Sequence, residues 1–462
     1  MYKKKGFCLY MRNKKIALIG AGSANFSLGL IKDLCNTPGL AGTTVSFMDI
    51  NEQRLTAVHK FCTRYAAEIG VSLNAEMTTD REESLQDADI VISTALAAPY
   101  SRMLKGWEIA HTYGFKLPGS LHILYDEAFW LNFYQFRLYD QVTEDILRIC
   151  PRAWHLLVAN PVITLVTHLK RKYPDAKLAG ICHGYGWVYN LSCILGLDYG
   201  KVTFRAPGVN HFIWLNSFQY NGKDAFPVLD RWIEEKSERY WTEHPEAWKE
   251  SLSRKSVDIY KAYGALPLGD TAHWTGSNWP WWYHTSEETN ARWQEGDPMA
   301  GWNSYLSVAT STMETMIRAA DDDSVRISQK FAGKTTEPIV PMVESLLCNV
   351  PREMVVNVLN QDEFVAGLPR DFGVEVPAVV DGSGIRPLRT NPLPKPVLAH
   401  IYRDRIAPVE MEIAAYTRKS RRLLTDLVLM DHWARSREEV EAFIAKIIAM
   451  EGHEAMRAWY AV

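Results

Sequence analysis

Residues 15–34 read KIALIGAGSANFSLGLIKDL, and this stretch decides the fold. The run KIALIG is short and apolar and ends at Gly20, which is typical of a buried parallel strand. From Phe26 to Leu34, apolar residues recur at helical spacing, so a helix is predicted directly after a glycine-rich turn. Strand, turn and helix in this order indicate the first unit of an α/β fold.

The turn between this strand and this helix is suited to hold a pyrophosphate. Gly20, Gly22 and Ser23 place backbone N–H groups at the helix N-terminus, where the helix dipole favours an anion. Asn25 stands where the usual pattern has its third glycine. The next predicted strand ends near Asp49, whose carboxylate can accept hydrogen bonds from the adenosine ribose and would repel a 2′-phosphate. These five residues predict an NAD site; a tight turn with a surface aspartate is the alternative.

Strands and helices alternate over the first 200 residues. A helix at Glu52–Ile69, a helical or loop piece, and a helix at Ile163–Tyr173 separate the predicted strands. Those strands after the first are TVSFMDI (44–50), DADIVISTALA (87–97), HLLVANP (155–161) and KLAGICHG (177–184). The alternation predicts a Rossmann-like, doubly wound parallel sheet.

The pattern changes after about residue 200. Residues 202–222 read as antiparallel strands with an Asn-Gly turn. Helices are predicted near 235–263, 305–332, 395–428 and 436–459, around a Pro- and Val-rich stretch at 338–394. We therefore expect a disordered leader at 1–11, an NAD-binding domain at 12–200, and an α+β domain at 201–462 that serves substrate, metal and oligomerisation and packs tightly on the first.

Composition excludes several classes of protein. The chain has 462 residues and a formal net charge of −3, which argues against a nucleic-acid binder. No apolar stretch approaches the ~20 residues of a membrane span, so no membrane partner is expected. Seven scattered cysteines are an odd number, which argues against a disulfide framework and favours a cytoplasmic protein.

Asn160-Pro161 follows a predicted strand and resembles the Asn-Pro of the malate/lactate dehydrogenase superfamily, which lies beside the nicotinamide. That superfamily also needs a His-Gly general base partnered by aspartate and arginines that clamp the substrate, and this arrangement is not found. Cys182 and His211 stand on two predicted loops instead. A thiolate and an imidazole leave coordination positions open, which suits Mn²⁺, Co²⁺ or Ni²⁺ better than a structural zinc. The alternative is a buried structural cysteine with core histidines.

With these motifs the chain resembles glycoside hydrolase family 4, the NAD- and divalent-metal-dependent glycosidases, over residues 12–460. The resemblance depends on GAGS at 20–23, Asp49, Asn160-Pro161, CHG at 182–184, Asn210-His211 and VEVPAVVDGSGIRPL at 374–388. It implies that Cys182 and His211 bind the metal, and that Asn160 contacts both sugar and NAD. It further implies substrate-site positions for Asp126 and Asn210, and a catalytic base at Asp270, with Tyr263 in reserve. HILYDEAFW, around Asp126, departs from the glycine-rich stretch of relatives.

The resemblance also implies a mechanism, in which NAD oxidises C3 of the sugar and thereby acidifies the C2 proton. Asp270 then removes that proton, the aglycone leaves with a proton from His183 or Asp126, water adds, and the hydride returns. His183 after the metal cysteine points to an unphosphorylated sugar, and Cys-His-Gly-x-Gly most resembles α-glucuronidases. α-Galacturonidase, α-glucosidase and α-galactosidase stay open, and relatives are usually homodimers or homotetramers.

The sequence leaves two other functions open, and one further motif needs an interpretation. An NAD-dependent sugar or hydroxy-acid dehydrogenase is the other enzyme candidate, and a non-catalytic NAD sensor is the candidate outside enzymes. The Trp-dense segment HWTGSNWPWWYH (273–284) is expected to line the core or a subunit contact, with sugar stacking as the alternative.

Overall fold

The computed structural model describes residues 14–333 and 335–461. The leader predicted at 1–11 lies outside the described residues. The strands are β1 (Lys15–Ile19), β2 (Thr44–Met48), β3 (Asn74–Thr78), β4 (Ile90–Ser93), β5 (Trp154–Leu157), β6 (Leu178–Gly180), β7 (Val202–Arg205), β8 (Gly208–Val209), β9 (Phe212–Leu215), β10 (Ser217–Tyr220), β11 (Lys223–Asp224), β12 (Leu266–Leu268), β13 (Arg352–Leu359), β14 (Gly373–Asp381) and β15 (Gly384–Pro387).

The helices alternate with these strands in the first half and dominate the second. They are α1 (Ala24–Cys35), α2 (Glu52–Glu68), α3 (Arg81–Leu85), α4 (Tyr100–Thr112), α5 (Phe129–Ile149), α6 (Val162–Lys172), α7 (Val188–Leu195), α8 (Phe226–Glu235), α9 (Ser237–Glu243), α10 (Arg254–Tyr263), α11 (Glu287–Trp293), α12 (Ala300–Asp321), α13 (Ile327–Lys330), α14 (Ile339–Cys348), α15 (Lys395–Ile401), α16 (Ala407–Thr417), α17 (Arg421–Leu429), α18 (Arg437–Ile448) and α19 (Glu454–Trp459). A π-helical turn, Tyr402–Ile406, joins α15 to α16. None of these helices is long and apolar enough to cross a membrane.

The main sheet is built on six parallel strands in the order β3-β2-β1-β4-β5-β6. This is the strand order of a doubly wound dinucleotide-binding fold, so the predicted Rossmann-like architecture is confirmed. In β1, apolar residues follow one another without alternating with polar ones. Ile16 and Leu18 pack in one core cluster and Ala17 and Ile19 in another, so both faces of the strand are covered.

The sheet does not stop at β6. β13 pairs antiparallel with β6, and the order continues through β14, β8, β9 and β12, with β15 paired to β14. The antiparallel strands predicted at 202–222 are present, although β8 and β9 join this main sheet while β7, β10 and β11 form a small separate one. Each long helix predicted in the second half is divided into shorter helices.

Two features bring distant chain segments to one edge of the main sheet. The carboxyl ends of β1, β4, β5 and β6 lie along that edge, as in other parallel sheets. β9 pairs with β12 so that Ile213 faces Leu268, which brings the residues before β9 close to those after β12. Thr271 fixes this junction because its Oγ1 accepts the Ile213 N–H at 2.9 Å.

Candidate functional site

Three potential metal ligands converge at this edge. Cys182 follows β6, His211 lies in the turn between β8 and β9, and Asp270 follows β12. Their ligand atoms all lie within 4.8 Å of one another, and His211 Nε2 is 3.7 Å from Asp270 Oδ2. A thiol, an imidazole and a carboxylate at this spacing form a site that can hold a transition metal. We call these three residues the triad.

The backbone around the triad is tightly packed. His211 has a φ of 58°, a left-handed conformation that few residues other than glycine adopt. Gly269 also has a positive φ, 60°, and a Cβ there would lie 2.4 Å from the Gly184 carbonyl oxygen. A Cβ at Gly276 would lie 2.4 Å from the Asp270 Cα. Glycine at these positions therefore allows the three loops to approach one another.

Glu127 contacts the triad through His211. Its Oε1 lies 3.0 Å from His211 Nδ1, and its side chain is completely buried. Although burial lowers it, hydrogen bonds to Cys182 and Glu127 raise the pKa of His211 well above its usual value. Burial raises the pKa of Asp270, and the charge of Glu127 adds to this while His211 opposes it.

Asp126 and Asn160 form a pair beside the triad. Asn160 Nδ2 donates to Asp126 Oδ2 at 2.6 Å, and the Asn160 carbonyl accepts from Gln135 Nε2 at 2.6 Å. The other Asp126 oxygen is buried and has no partner within the described chain. Burial and the neighbouring Glu127 raise the pKa of Asp126 to about 7. An unpartnered carboxyl oxygen with this pKa is suited to proton transfer near neutral pH.

The glycine-rich turn has the geometry of a nucleotide loop. Gly20 has a φ of 93°, and a Cβ there would lie 2.5 Å from the Ala95 nitrogen. Asp49 accepts the Gly22 N–H at 2.8 Å, so the turn and the acidic residue are held together. Ser23 is the N-cap of α1 and makes no side-chain capping bond, which leaves its hydroxyl available. Asn25 lies in the first turn of α1.

A cleft of about 690 Å³ connects this turn with Asp126 and Asn160. Ser23 and Arg54 line the cleft on the side of β1 and β2. Asp126 and Asn160 also line it. α12 contributes Tyr305, whose hydroxyl lies 2.9 Å from the hydroxyl of Tyr100. The cleft therefore leads from the nucleotide loop to the acidic group next to the triad.

The remaining predicted site residues occupy different surroundings. His183 is partly exposed, and its Nδ1 lies 3.9 Å from Glu337 Oε1. Asn210 is buried, with its Nδ2 donating to Glu375 Oε2 at 2.9 Å. Tyr263, the reserve base, forms a 3.0 Å contact between its hydroxyl and His400 Nε2 and makes no direct contact with the triad in the described chain.

Sequence models of two domain families match the chain. The model described as "Family 4 glycosyl hydrolase" matches residues 15–195, and "Family 4 glycosyl hydrolase C-terminal domain" matches residues 206–434. The chain belongs to glycosyl hydrolase family 4. The prediction that it is a glycoside hydrolase is thereby confirmed.

Named relatives of this family 4 hydrolase act on several sugars. An alpha-glucosidase of Erwinia rhapontici is 25% identical over 445 residues, covering 90% of this chain and 93% of the relative. An alpha-galacturonidase of Lachnoclostridium phytofermentans is 24% identical, with 83% of this chain and 84% of the relative covered. A 6-phospho-alpha-glucosidase from gut microorganisms, solved in complex with NAD and Mn²⁺, is similar in fold, with a TM-score of 0.74 and 15% identity over 94% of this chain and 97% of that chain.

Several site residues of this family 4 hydrolase escaped the sequence interpretation. Tyr125 packs edge-on against His211, with ring centroids 5.8 Å apart. Glu375, in β14, accepts a hydrogen bond from Asn210. Arg405 is 2% exposed and stacks on Phe212 with 4.3 Å between its guanidinium carbon and the ring centroid. Adjacency to Asp126 was the available signal for Tyr125. Arg405 approaches only through tertiary packing, so local sequence held no signal for it.

The Trp-dense segment packs against Phe212, the residue that follows His211. Trp279 is 4% exposed, and its ring centroid lies 5.0 Å from that of Phe212. Trp281 and Trp282 are half-buried, and Trp281 stacks on His432. Trp279 therefore takes the core position that was expected for this segment.

Proposed function

We propose that this family 4 glycosidase hydrolyses an unphosphorylated glycoside, of α-glucuronide type, by NAD-dependent elimination assisted by a divalent metal. The observation that carries the proposal is the position of the triad. It lies beside the Asp126–Asn160 pair, which lines the same cleft as the nucleotide loop. A redox cofactor, a metal and an acid–base pair would therefore act on one small substrate.

The residues present fit both groups that the proposal requires. The cleft and the close packing of Gly22 on Asp49 provide a cradle for a dinucleotide. Cys182 and His211 offer a sulfur and a nitrogen ligand suited to Mn²⁺, Co²⁺ or Ni²⁺, and the Asp270 carboxylate, our candidate base, lies within 4.8 Å of both. The solved 6-phospho-alpha-glucosidase complex with NAD and Mn²⁺ supports this choice of cofactors.

When bound, NAD supplies reversible hydride exchange with C3 of the sugar, and the divalent cation supplies Lewis-acid stabilisation of negative charge on the sugar oxygens. Asp270 takes the proton from C2. Asp126 gives a proton to the leaving oxygen through the carboxyl oxygen that has no protein partner, with His183 as the other candidate acid. Asn160 orients Asp126 through the 2.6 Å hydrogen bond and contacts the sugar and NAD.

Two features support the proposed substrate class, His183 and a buried cation. His183 stands after the metal cysteine in the Cys-His-Gly-x-Gly pattern of α-glucuronidases. A uronate needs a cationic or amide partner for its carboxylate. Arg405 is our candidate, because its Nε has no partner within the described residues and its guanidinium stacks on the residue after His211. α-Galacturonides, supported by the alpha-galacturonidase relative, and α-glucosides or α-galactosides are the alternatives.

The two halves of the chain divide this work. Residues 12–200 hold NAD and supply Cys182, Asp126 and Asn160, and residues 201–462 supply His211 and Asp270. We further propose a homodimer or homotetramer and a cytoplasmic location, where the Cys182 thiol stays reduced.

A coupled assay tests the proposal. The protein is incubated with NAD⁺, Mn²⁺, a thiol reductant and p-nitrophenyl glycosides, including an α-glucuronide, while nitrophenol and NADH are followed together. Nitrophenol release without net NADH accumulation is expected, because the hydride returns to the sugar. Stoichiometric growth of NADH would show the dehydrogenase instead. NAD binding with no turnover that depends on Cys182 or His211 would show the sensor.

A further inference from the structure

The buried carboxylate of Glu127 constrains the imidazole of His211. Glu127 Oε1 lies 3.0 Å from His211 Nδ1, and Glu127 Oε2 has no partner within the described residues. A carboxylate oxygen accepts this hydrogen bond when it is ionised, and in that arrangement Nδ1 carries the hydrogen of the contact. In the neutral imidazole the lone pair is then on Nε2, the nitrogen that lies 3.7 Å from Asp270 Oδ2.

We propose that Glu127 is a positioning residue that selects the Nδ1–H tautomer of His211 and so presents Nε2 to the metal. The inference rests on the metal centre proposed above. Metal-binding histidines commonly donate their second ring nitrogen to a carboxylate, which fixes the ring and its tautomer.

A network of buried polar groups keeps Glu127 in place. Asn132 Nδ2, from α5, donates to the Glu127 backbone oxygen at 2.7 Å and to Glu412 Oε1, from α16, at 2.9 Å. Glu412 Oε2 lies 3.2 Å from His122 Nδ1. The segment from His122 to Asn132 is thus tied at both ends to one carboxylate. The side chain of Glu127 is therefore held against His211 before any metal binds.

A second histidine–carboxylate pair elsewhere in the chain provides a matched control. His168 Nε2 lies 2.9 Å from Asp140 Oδ1, and both residues are buried. This pair joins α5 to α6 and lies outside the triad. Loss of its carboxylate removes the same kind of contact without touching the proposed metal ligands.

The test measures two properties of Glu127→Gln, Glu127→Leu and Asp140→Asn. The His211 tautomer is observed in metal-free protein labelled with ¹⁵N-histidine, at a pH high enough to deprotonate the imidazolium, with His211→Asn to assign the signals. Mn²⁺ affinity is measured from the free Mn²⁺ signal in electron paramagnetic resonance, with NAD present. Glu127→Leu should lose the Nδ1–H preference and bind Mn²⁺ about 10–100-fold more weakly. Glu127→Gln keeps an acceptor and should lose less, and Asp140→Asn should change neither property.

Wild-type Mn²⁺ affinity with an unchanged His211 tautomer in the Glu127 variants would overturn the inference. If Glu127→Leu does not fold, Glu127→Gln decides through its Mn²⁺ affinity: reduced affinity supports the role, and wild-type affinity refutes it. His211→Asn separates the two proposals. Full Mn²⁺ binding by that variant would refute the metal centre itself, whereas loss of binding there with wild-type binding by the Glu127 variants would refute only the role of Glu127.

Discussion

Lys255→Met should unbalance a buried ion pair and make the stability of the fold depend on pH in a defined direction. Lys255 Nζ lies 2.9 Å from Glu295 Oε2, and each side chain is 1% exposed. Nζ also lies 3.4 Å from the Asn278 carbonyl and 3.3 Å from His284 Nε2. Burial lowers the pKa of Lys255 and raises the pKa of Glu295, so each group depends on the other for its charge.

The two single substitutions should have opposite pH dependences. In Lys255→Met, Glu295 loses its cationic partner and, within the described chain, keeps only His284 Nε2, at 3.5 Å, whose pKa burial lowers to about 2. The Glu295 carboxyl therefore has a folded-state pKa above its unfolded value. Its contribution to stability is then complete below the unfolded pKa and is lost as pH rises, by about 1.4 kcal/mol per unit. In Glu295→Gln, the unpaired Lys255 has a folded-state pKa below its unfolded value, so stability is lost as pH falls. Each full loss should reach about 3–5 kcal/mol.

Urea unfolding midpoints from pH 5.5 to 9 measure these effects. Relative to the wild type, Lys255→Met should be most destabilised at pH 9 and Glu295→Gln at pH 5.5. Lys255→Met/Glu295→Gln leaves no unpaired charge and should show neither slope. Parallel pH profiles for both single variants and the wild type would refute the assignment of a charged pair.

Three further outcomes follow from the site and the core. Gly276→Ala places a Cβ 2.4 Å from the Asp270 Cα, so kcat should fall on the order of 100-fold. NAD affinity, measured by fluorescence titration, should stay unchanged. A wild-type kcat would contradict the role of Asp270. Asp49→Asn should weaken NAD binding about 10–100-fold in calorimetry through loss of charge-assisted hydrogen bonds, with NADP less affected. Burial lowers the pKa of His155 to about 3, so stability that is present above pH 6.5 is lost as pH falls towards 3. His155→Gln should make the acid side of the pH–stability curve shallower by about 1.4 kcal/mol per unit, and an unchanged slope would contradict a neutral buried imidazole.

Sequence patterns predicted the parallel half of the fold because each central strand is buried on both faces. β1, β2 and β4 are therefore apolar runs that stand out from their surroundings. The sequence pattern did not predict β3, because it is an edge strand whose residues are mostly exposed. The pairing of β13 with β6 joins residues far apart in the chain, and no local pattern reports it.

The site was predictable to a similar extent. Cys182 and His211 were predicted from their residue types on two loops and Asp270 from the family resemblance, and the structure brings all three together. Glu127 was missed because its proposed role depends on which ring nitrogen of His211 it meets. Such a contact is set by tertiary packing and is invisible in spacing along the chain.

The continuous hydrogen-bonded sheet limits how this enzyme can be divided or can move. A fragment ending near residue 200 would leave β6 as a bare edge where β13 normally pairs, and the other fragment would lose the partner of β13. An unprotected edge invites pairing with other chains, so the halves expressed separately should aggregate unless they are produced together. The same pairing, Asn357 with Gly180, ties the two halves together, and entry of a dinucleotide then falls to smaller movements of the elements that line the cleft, such as α12.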